Sequence, residues 1–531
     1  MPPRPVPTAW HPGFLGLVLL TVGFLARQPA AARTPEAAHR LFGQTLVELD
    51  LRVSREAWAA LLQQSMESPR LYAEATVRSG GRTWRNVGLK LKGSYGSFQA
   101  AGERPGLTLH FDKFKGSERF HGLTRLHLNN AAQDISFLHE WLGGELARAA
   151  GVPAGRCTHA RVTPQGQPRG LYVLRESFTR DFLADWFGGE GRGELYDAGP
   201  GGDVGPDLDQ DQGNPDDRSH LQALADALAG QDPPARARRL ESLLDLDRFH
   251  RFTAAEILLG HWDGYTLAAN NYRLYRNPSD GRWSFLLHGL DQILGDPAAP
   301  AYPPPAGRAA QAVLDSPAAW ARLAAEMRRQ REDIWTAGDW PARIRDRSAR
   351  LSEAIAATDP AQARQLSETG EDLARRWAER CRRLAPDLQH PPRPVEWDAR
   401  GRAILADGWH PDVGEGPWQP GRDSAVLRLE ALGESAGSWR QTLLLPPGRY
   451  RFSARIGTRA VVGASDRPVR GAGIVRVGAD PPGPRRLAGT RAERTRTLRF
   501  EADGPVTLGL ELRARAGGAW FPLDSLQLER R

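Results

Sequence analysis

Polar residues with the chemistry of phosphoryl transfer lie in one segment, residues 257–296, ILLGHWDGYTLAANNYRLYRNPSDGRWSFLLHGLDQILGD, whose other residues favour a hydrophobic core. Asp263 comes first, the pair Asn270 and Asn271 follows, and Asp291 comes last. A carboxylate that accepts a hydroxyl proton, an amide oxygen that binds Mg²⁺, and a carboxylate between Mg²⁺ and phosphate are the minimal groups for this reaction. The alternative interpretation is structural: Asp263 begins a turn, and Asp291 is the N-cap of a helix.

A second stretch, LKLKGSYGSFQ, combines glycines with small hydroxyl residues directly after a predicted strand. Gly93 and Gly96 allow backbone N–H groups to approach an anion closely, and Ser94 and Ser97 add hydroxyl donors. Lys92 ends the strand and brings a positive charge to the same point. The spacing matches neither G-x-G-x-x-G nor the Walker A pattern, so it predicts either a phosphate-binding turn or an ordinary loop.

The alternation of apolar and polar residues predicts the strands that position these groups. NNYRLYR and RWSFLLH alternate as two strands joined by the turn residues NPSDG, and this hairpin would bring Asn271 and Asp291 together at its open end. Residues 40–185 predict a strand-rich region, and residues 186–390 predict a mainly helical one. Within the latter, the Asp-, Gly- and Pro-rich residues 194–220 predict a solvated acidic loop.

Residues 395–531 lack the helical periodicity of the region before them. Short alternating stretches such as GRYRFSARI and PVTLGLELRA are separated by Gly and Pro, which predicts an all-β sandwich with a general similarity to carbohydrate-binding jelly rolls. Trp439 and Trp520 either stack on a sugar or belong to the core of this sandwich. The sequence therefore predicts an accessory β-sandwich for which a cell-surface glycan is the candidate partner.

The composition is that of a globular protein with more than one domain: 531 residues, of which 40% are hydrophobic and 25% charged. The formal net charge of +8 comes mainly from arginines scattered along the chain, without a block of five or more like charges. This distribution argues against a nucleic-acid-binding tail, and no nucleic-acid partner is predicted. Two cysteines, Cys157 and Cys381, are too few for a disulfide scaffold, and whether they pair is left open.

The N-terminus predicts a secretory signal. Arg4 is followed by an apolar run from Phe14 to Leu25 and then by small residues around Ala31, which together are typical of a cleavable signal peptide over residues 1–32. The alternative is an uncleaved membrane anchor. No later segment is apolar enough to span a bilayer, so we expect no transmembrane span after signal cleavage and a secreted, periplasmic or cell-surface location.

Six motifs occur in order: LKGSYGSF, RPGLTLHFDKF, LHLNN, GLYVLRE, HWDGYTLAANNYRLYR and HGLDQ. With them, residues from about 40 to 390 resemble the spore-coat CotH family of atypical protein kinases. The resemblance implies an α+β, bilobal kinase-like fold, with an N-lobe over residues 40–185 and a C-lobe over residues 186–390. It also implies a secreted kinase that transfers the γ-phosphate of ATP, with Mg²⁺ or Mn²⁺, to Ser/Thr hydroxyls of a protein substrate.

The same resemblance assigns roles by position. Asp263 in HWDGY matches the family's catalytic aspartate. Asn271 in NNY and Asp291 in LDQ match its metal-binding positions. Glu176 in GLYVLRE falls on a glutamate typical of the family, which we expect either near the nucleotide or paired with a basic residue.

Two departures from the family pattern concern charged positions. Arg104 in RPGLTLHF stands where relatives usually have lysine, and an arginine still grips phosphate but presents a bulkier group. Lys92 is the candidate substitute for that lysine. Gly289 in HGLDQ stands where an acidic residue is common, which removes one candidate metal ligand.

Two other functions remain open at the level of sequence. The first is a non-catalytic envelope or surface-binding protein that keeps the fold and binds glycan through its sandwich. The second is a metal-dependent hydrolase that uses His261, Asp263, His288 and Asp291 as a His/Asp metal centre.

Overall fold

The computed structural model describes residues 36–114, 119–199, 201–463, 471–477 and 486–531. The predicted signal peptide, residues 1–32, lies outside the described residues. The described chain mixes helices and sheets throughout, which confirms the α+β class. The finer expectation of a bilobal kinase-like fold and the predicted domain boundaries stay predictions.

Seven strands close into a barrel in the order β1-β2-β3-β4-β5-β7-β6, with β6 parallel to β1. The strands are β1 (Leu46–Val53), β2 (Ala73–Ser79), β3 (Arg82–Lys92), β4 (Gly106–His110), β5 (Arg125–Asn129), β6 (Cys157–Pro164) and β7 (Leu171–Glu176). Leu and Val side chains that alternate along these strands fill the interior, while the intervening residues face outward. Gly80 and Gly81 take positive φ at the predicted β2–β3 turn, as a tight hairpin requires.

Four helices accompany the barrel: α1 (Glu36–Gly43), α2 (Arg55–Leu62), α3 (His139–Ala149) and α4 (Arg180–Phe187). Helix α3 is buried along most of its length. A Cβ atom at Gly143 would lie 3.0 Å from the Leu290 side chain, and one at Gly144 would lie 3.1 Å from the Gly155 carbonyl oxygen. The two glycines therefore allow α3 to pack closely between the barrel and the region that follows it.

The next region is mainly helical and contains a four-stranded sheet. Its helices are α5 (Ser219–Ala229), α6 (Pro233–Leu243), α7 (Leu246–Leu259), α8 (Tyr265–Ala268), α9 (Arg308–Val313), α10 (Pro317–Gln330), α11 (Trp340–Ile355) and α12 (Pro360–Gln389), and a π-helical segment (Arg331–Thr336) follows α10. The strands are β8 (Glu194–Asp197), β9 (Asp209–Gln212), β10 (Tyr272–Arg276) and β11 (Trp283–Leu287). Their order is β11-β10-β8-β9, and β10 and β11 form the predicted hairpin.

The prediction of a continuous loop over residues 194–220 was wrong. Leu195 and Tyr196 are buried, and β8 pairs with β10, with Tyr196 opposite Leu274. Strand β9 carries Asp209 and Asp211 on the edge of the same sheet. Two buried apolar residues and a partner strand distant in sequence outweigh the turn-forming composition around them.

The C-terminal residues form sandwich-like sheets around a separate hydrophobic core. The strands are β12 (Arg393–Pro394), β13 (Arg402–Ile404), β14 (His410–Pro411), β15 (Trp418–Arg422), β16 (Val426–Ala431), β17 (Ser435–Val462), β18 (Gly471–Arg476), β19 (Gly489–Ala514), β20 (Ala516–Pro522) and β21 (Gln527–Arg530). Trp439 is buried and donates to the Arg428 carbonyl oxygen at 3.0 Å, so it belongs to the core. Trp520 is partly exposed, covers Gly457 and donates to Glu493 at 3.2 Å.

Two further features bear on the expectations above. Cys157 in β6 and Cys381 in α12 are both free thiols. Among the described helices, none is long and apolar enough to cross a membrane.

Candidate active site

One cavity of about 500 Å³ collects most of the residues singled out in the sequence. Its walls come from the ends of β3 and β5, the start of α3, the end of β8 and the turns around β10 and β11. The candidate residues that line it are Lys92, Gly93, Ser94, Ser97, Asp263, Asn270, Asn271, His288 and Asp291. Elements distant in sequence therefore converge on one space, which is the usual construction of a ligand site.

Lys92, Asn129 and Glu140 form a hydrogen-bonded chain in the cavity wall, which we call the lysine relay. Lys92 Nζ donates to Asn129 Oδ1, and Asn129 Nδ2 donates to Glu140 Oε2 at 2.6 Å. Burial lowers the pKa of Lys92 to about 8, although the charge of Glu140 opposes this shift. The carboxylate of α3 thus holds the lysine through a neutral amide rather than by direct contact.

The glycine-rich turn after β3 is fixed by its own hydrogen bonds and by close packing. The Ser97 N–H donates to the Ser94 carbonyl oxygen at 3.1 Å, and Asn130 Nδ2 donates to the Ser97 carbonyl oxygen at 2.9 Å. Gly96 has φ 78°, and a Cβ atom there would lie 2.6 Å from Gln133 Nε2. The positive φ therefore favours glycine at position 96, while Gly93, Ser94 and Ser97 reach the cavity.

Asp263, Asn271 and Asp291 lie on the cavity in three turns, and we call them the aspartate cluster. Asp263 Oδ2 accepts from Asn271 Nδ2 at 2.8 Å, and Asp263 Oδ1 accepts from Asn270 Nδ2 at 3.0 Å. Because the Nδ2 of Asn271 is used in this way, its Oδ1 is the atom available to a cation. Asn271 takes the left-handed conformation with φ 50°, which turns the chain into β10.

Asp291 lies in a 3₁₀ turn, Leu290–Gln292, and is not a helix N-cap. Two buried histidines hold the backbone of this turn: His139 Nδ1 lies 2.8 Å from the Asp291 carbonyl oxygen, and His261 Nε2 lies 2.8 Å from that of Gly289. Burial raises the pKa of Asp291 to about 6, and the nearby Glu140 charge adds to this effect. The carboxyl group is thus presented by a fixed backbone in a partly dehydrated setting.

Gly289 is explained by packing rather than by a lost ligand. Its φ is 64°, and a Cβ atom there would lie 2.5 Å from Asn271 Cγ. Any side chain at this position would displace the amide of Asn271. An acidic residue at position 289 is therefore incompatible with the present arrangement.

Three of the candidate nucleotide-binding residues do not line the cavity. Gly96 packs on Gln133, as described above. The guanidinium of Arg104 lies 5.2 Å from the centre of the Phe137 ring. Glu176 is buried and accepts two hydrogen bonds, of 2.9 and 2.5 Å, from the Arg156 guanidinium, so it pairs with a basic residue and is not among the groups that face the cavity.

The sequence interpretation missed several polar residues of the cavity wall. Asn129 and Glu140 complete the lysine relay, and Arg273 binds Asp197 at 2.5 Å beside the aspartate cluster. The one signal for Glu140 was a carboxylate inside the apolar helical stretch FLHEWL, since a buried glutamate needs a partner. The partner itself, at the end of a strand eleven residues earlier, is not marked by any local pattern.

Of the four residues in the hydrolase hypothesis, Asp263, His288 and Asp291 line the cavity, whereas His261 does not. His261 is fully buried between the Gly289 carbonyl oxygen and Glu256, whose Oε1 lies 3.4 Å from His261 Nδ1. Within the part of the chain that the structure describes, no group of three or more His, Cys, Asp or Glu side chains is arranged to hold a metal. The donors that do converge, an amide oxygen and carboxylates, suit Mg²⁺, which retains water and substrate phosphate as its other ligands.

Comparisons with known proteins agree with this geometry at the level of family. The CotH kinase protein family matches residues 89–358. Two curated relatives from Rhizopus delemar, invasin CotH2 and invasin CotH3, are 27% and 28% identical over alignments of 203 residues, and each alignment covers 34% of this chain. The match covers 34% and 33% of these relatives, so the chain spans about a third of their length.

Two solved structures share small parts of the chain. The enzymatically active domain of bacteriophage CBA120 tailspike protein 4 has a TM-score of 0.19 and 12% identity, over 26% of this chain and 22% of that one. TmCBM61 in complex with β-1,4-galactotriose has a TM-score of 0.16 and 15% identity, over 26% of this chain and 87% of that one. Neither TM-score defines a common fold. The family match, by contrast, spans about half of the chain and includes the lysine relay and the aspartate cluster, and the chain belongs to the CotH kinase protein family.

Proposed function

We propose that this protein is an atypical protein kinase that transfers the γ-phosphate of ATP to Ser/Thr hydroxyls of a protein, with Mg²⁺ or Mn²⁺. One observation carries the proposal: the lysine relay and the aspartate cluster line the same cavity of about 500 Å³. The first offers a cation for phosphate, and the second offers oxygen ligands for a metal and a carboxylate for the acceptor. Family membership supports the same conclusion.

In this proposal Lys92 binds the phosphates, and Glu140 keeps it in place through Asn129. Protein kinases join a strand lysine to a helix glutamate directly. Here the amide of Asn129 lies between them, so the lysine keeps a hydrogen-bonded anchor while its charge is only partly neutralised. The backbone of Gly93 and the hydroxyls of Ser94 and Ser97 would add donors to the same phosphates.

Asp263 would orient the acceptor hydroxyl and accept its proton, while Asn271 Oδ1 and Asp291 would hold the cation. Bound Mg²⁺ or Mn²⁺ supplies neutralisation of the charge that develops on the phosphate oxygens. The two asparagine amides that donate to Asp263 fix the orientation of its carboxylate. A fixed carboxylate positions the hydroxyl for in-line attack.

We extend the proposal to organisation and location. The kinase region would cover residues 40–390 and the accessory sandwich residues 395–531, outside the cytoplasm after removal of residues 1–32. The N-terminal sequence supports this location. The names of the two fungal relatives, both called invasins, are consistent with a surface role.

Incubation of the full chain with γ-labelled ATP and Mg²⁺ or Mn²⁺, followed by autoradiography and mass spectrometry, tests the proposal. We expect phosphate on the protein itself or on an added protein mixture, and its loss in Asp291→Ala. Asp346→Asn is the matched control, because Asp346 is an exposed acid on α11 that does not line the cavity. Equal labelling in Asp291→Ala and Asp346→Asn would refute the assignment.

A second candidate is a non-catalytic surface-binding protein, favoured by the invasin names of the relatives and by arginine at position 104. A ligand that binds only the native state raises the unfolding midpoint. If neither ATP with Mn²⁺ nor ATP with Mg²⁺ shifts the midpoint and no label is transferred, this candidate replaces the first. Binding of the chain to a glycan array, compared with Trp520→Ala, would then test the sandwich as the binding region.

A further inference from the structure

Three large apolar side chains are exposed next to the residues that line the cavity. Tyr95, Ile135 and Trp262 are 78%, 60% and 55% exposed, and we call them the apolar rim. Tyr95 itself lines the cavity, Ile135 follows the lining residue Asp134, and Trp262 precedes Asp263. Single exposed apolar residues are ordinary on a protein surface, but three of them at one cavity indicate a contact surface.

Trp262 is held outward by a rigid turn. The His261 N–H donates to the Glu256 carbonyl oxygen at 2.9 Å, and the Gly264 N–H donates to that of His261 at 3.0 Å. In this turn His261 points into the core and Asp263 into the cavity, which leaves the indole of Trp262 in solvent. Its Cα atom is about 3.8 Å from that of Asp263, as for any consecutive pair.

Tyr95 and Ile135 lie at the tips of two other hydrogen-bonded turns. The Phe98 N–H donates to the Ser94 carbonyl oxygen at 2.8 Å, which closes the glycine-rich turn beneath Tyr95. Asp134 Oδ1 accepts from the Ser136 N–H at 3.0 Å, which closes an Asx turn around Ile135. The backbone beneath both side chains is thus held by hydrogen bonds, and a large aromatic side chain such as tyrosine binds a partner with little loss of conformational entropy.

We propose that the apolar rim binds a large apolar side chain of the acceptor protein, close in sequence to the Ser or Thr that receives phosphate. The inference rests on the proposed function. The nucleotide phosphates would lie by Lys92 inside the cavity, and the chain that brings a hydroxyl to Asp263 would pass beside Trp262, the residue before it in the sequence. An extended chain advances about 3.3–3.6 Å per residue, so a side chain one to three positions from the hydroxyl reaches Trp262.

Synthetic peptides with a single serine in a Gly/Ala/Lys background test this with the full chain. Leucine or tryptophan replaces alanine at each position from four before to four after the serine, and kcat/KM is measured with Mn²⁺-ATP. We expect at least one position within three of the serine at which the large apolar residue raises kcat/KM about tenfold. Trp262→Ala should remove this preference, Trp262→Phe should restore most of it, and the KM for ATP should not change.

Leu71→Ala is the matched control, since Leu71 is 68% exposed and does not line the cavity. If wild-type protein phosphorylates peptides without apolar preference, or if Trp262→Ala behaves like Leu71→Ala, the rim proposal is overturned and the kinase proposal stands. If Trp262→Ala abolishes self-association in light scattering without altering peptide kinetics, the rim is a surface between copies. No transfer to any acceptor by wild-type protein would overturn both proposals.

Discussion

The lysine relay and the aspartate cluster share one cavity but balance their charges differently. In the relay, Lys92 and Glu140 are opposite charges joined through Asn129, so the buried groups compensate each other. In the cluster, the Asp263 carboxylate accepts from the neutral amides of Asn270 and Asn271, and burial together with the Glu140 charge raises the pKa of Asp291. The relay therefore contains both signs of charge, although the Asp291 charge also acts on Lys92, whereas the two carboxylates of the cluster have the same sign and would be stabilised by a bound cation.

The lysine relay and the aspartate cluster also differ in the secondary structure of their residues. Lys92 and Asn129 end regular strands, and Glu140 begins a regular helix. The cluster depends instead on turns with left-handed residues, including Asn271 at φ 50° and Gly289 at φ 64°. Such conformations are unfavourable unless the surroundings enforce them, and they are common at functional sites. The difference indicates that the cluster is the more sensitive of the two to substitution.

The largest expected effect comes from removing the carboxylate that would accept the proton. Asp263→Asn keeps the size of the side chain but removes its charge, and we expect phosphotransfer to fall by about 10²–10⁴-fold, the usual contribution of a general base. The KM for ATP should change little, because Asp263 would contact the acceptor and not the nucleotide. Steady-state kinetics with Mn²⁺-ATP measure both quantities. A variant with wild-type kcat would exclude Asp263 from the reaction.

The next effect tests the dependence of the cluster on its backbone. Gly289→Asp introduces the acid that the family resemblance led us to expect, yet its Cβ would lie 2.5 Å from Asn271 Cγ at φ 64°. We expect the free energy of unfolding to fall by about 1–3 kcal/mol and the stabilisation by Mn²⁺-ATP to disappear. Thermal and urea unfolding, with Gly295→Asp as control, measure this, since a Cβ at Gly295 meets nothing within 4 Å. Tighter metal binding by Gly289→Asp would show that the turn adapts.

For the lysine relay we expect a smaller effect, a dependence of ATP affinity on pH. Burial lowers the pKa of Lys92 to about 8, so the lysine loses its charge as the pH rises through this value. We expect the Kd for ATP to increase by up to about tenfold per pH unit above 8, because a neutral amine no longer attracts phosphate. Because the pKa of Lys92 is lower in the folded than in the unfolded chain, the unfolded chain binds this proton more tightly. The contribution of Lys92 to the free energy of unfolding therefore increases as the pH rises from about 8 to the ordinary pKa of lysine.

Lys92→Arg separates this titration from other pH effects, since arginine stays charged throughout the range. Titration of ATP into both proteins between pH 7 and 9.5 should give a rising Kd for the wild type and a nearly constant one for the variant. Parallel curves would show that another group controls nucleotide binding.

Local pattern was enough to predict the aspartate cluster and not enough to predict the relay. Asp263, Asn271 and Asp291 lie within one hairpin and the turns beside it, and hydrophobic alternation predicted that β10–β11 hairpin. Glu140 reaches Lys92 only because β3, β5 and α3 meet in three dimensions, and the pairing of these elements follows from barrel closure. Strand β8 was missed for the same reason, since its partner β10 is about eighty residues away.

The smallest expected effect concerns Arg104, which the sequence suggested as a phosphate ligand. Its guanidinium lies over the ring of Phe137 and is absent from the cavity lining, while its carbonyl oxygen accepts from Asn130 at 3.1 Å. Arg104→Lys keeps the charge and should change the Kd for ATP less than about twofold. Because the planar guanidinium over the Phe137 ring is lost in this variant, its free energy of unfolding should be lower by about 0.5–1 kcal/mol.

Isothermal titration with ATP and urea unfolding distinguish the two roles of Arg104. Arg104→Met removes the charge as well, and the present geometry still predicts near-normal ATP affinity, because no phosphate-facing group is lost. A tenfold weaker ATP complex in Arg104→Met, restored in Arg104→Lys, would instead place this charge among the nucleotide contacts. In that case the loop between β3 and β4 would contribute a third group of nucleotide-binding residues, beside the lysine relay and the aspartate cluster.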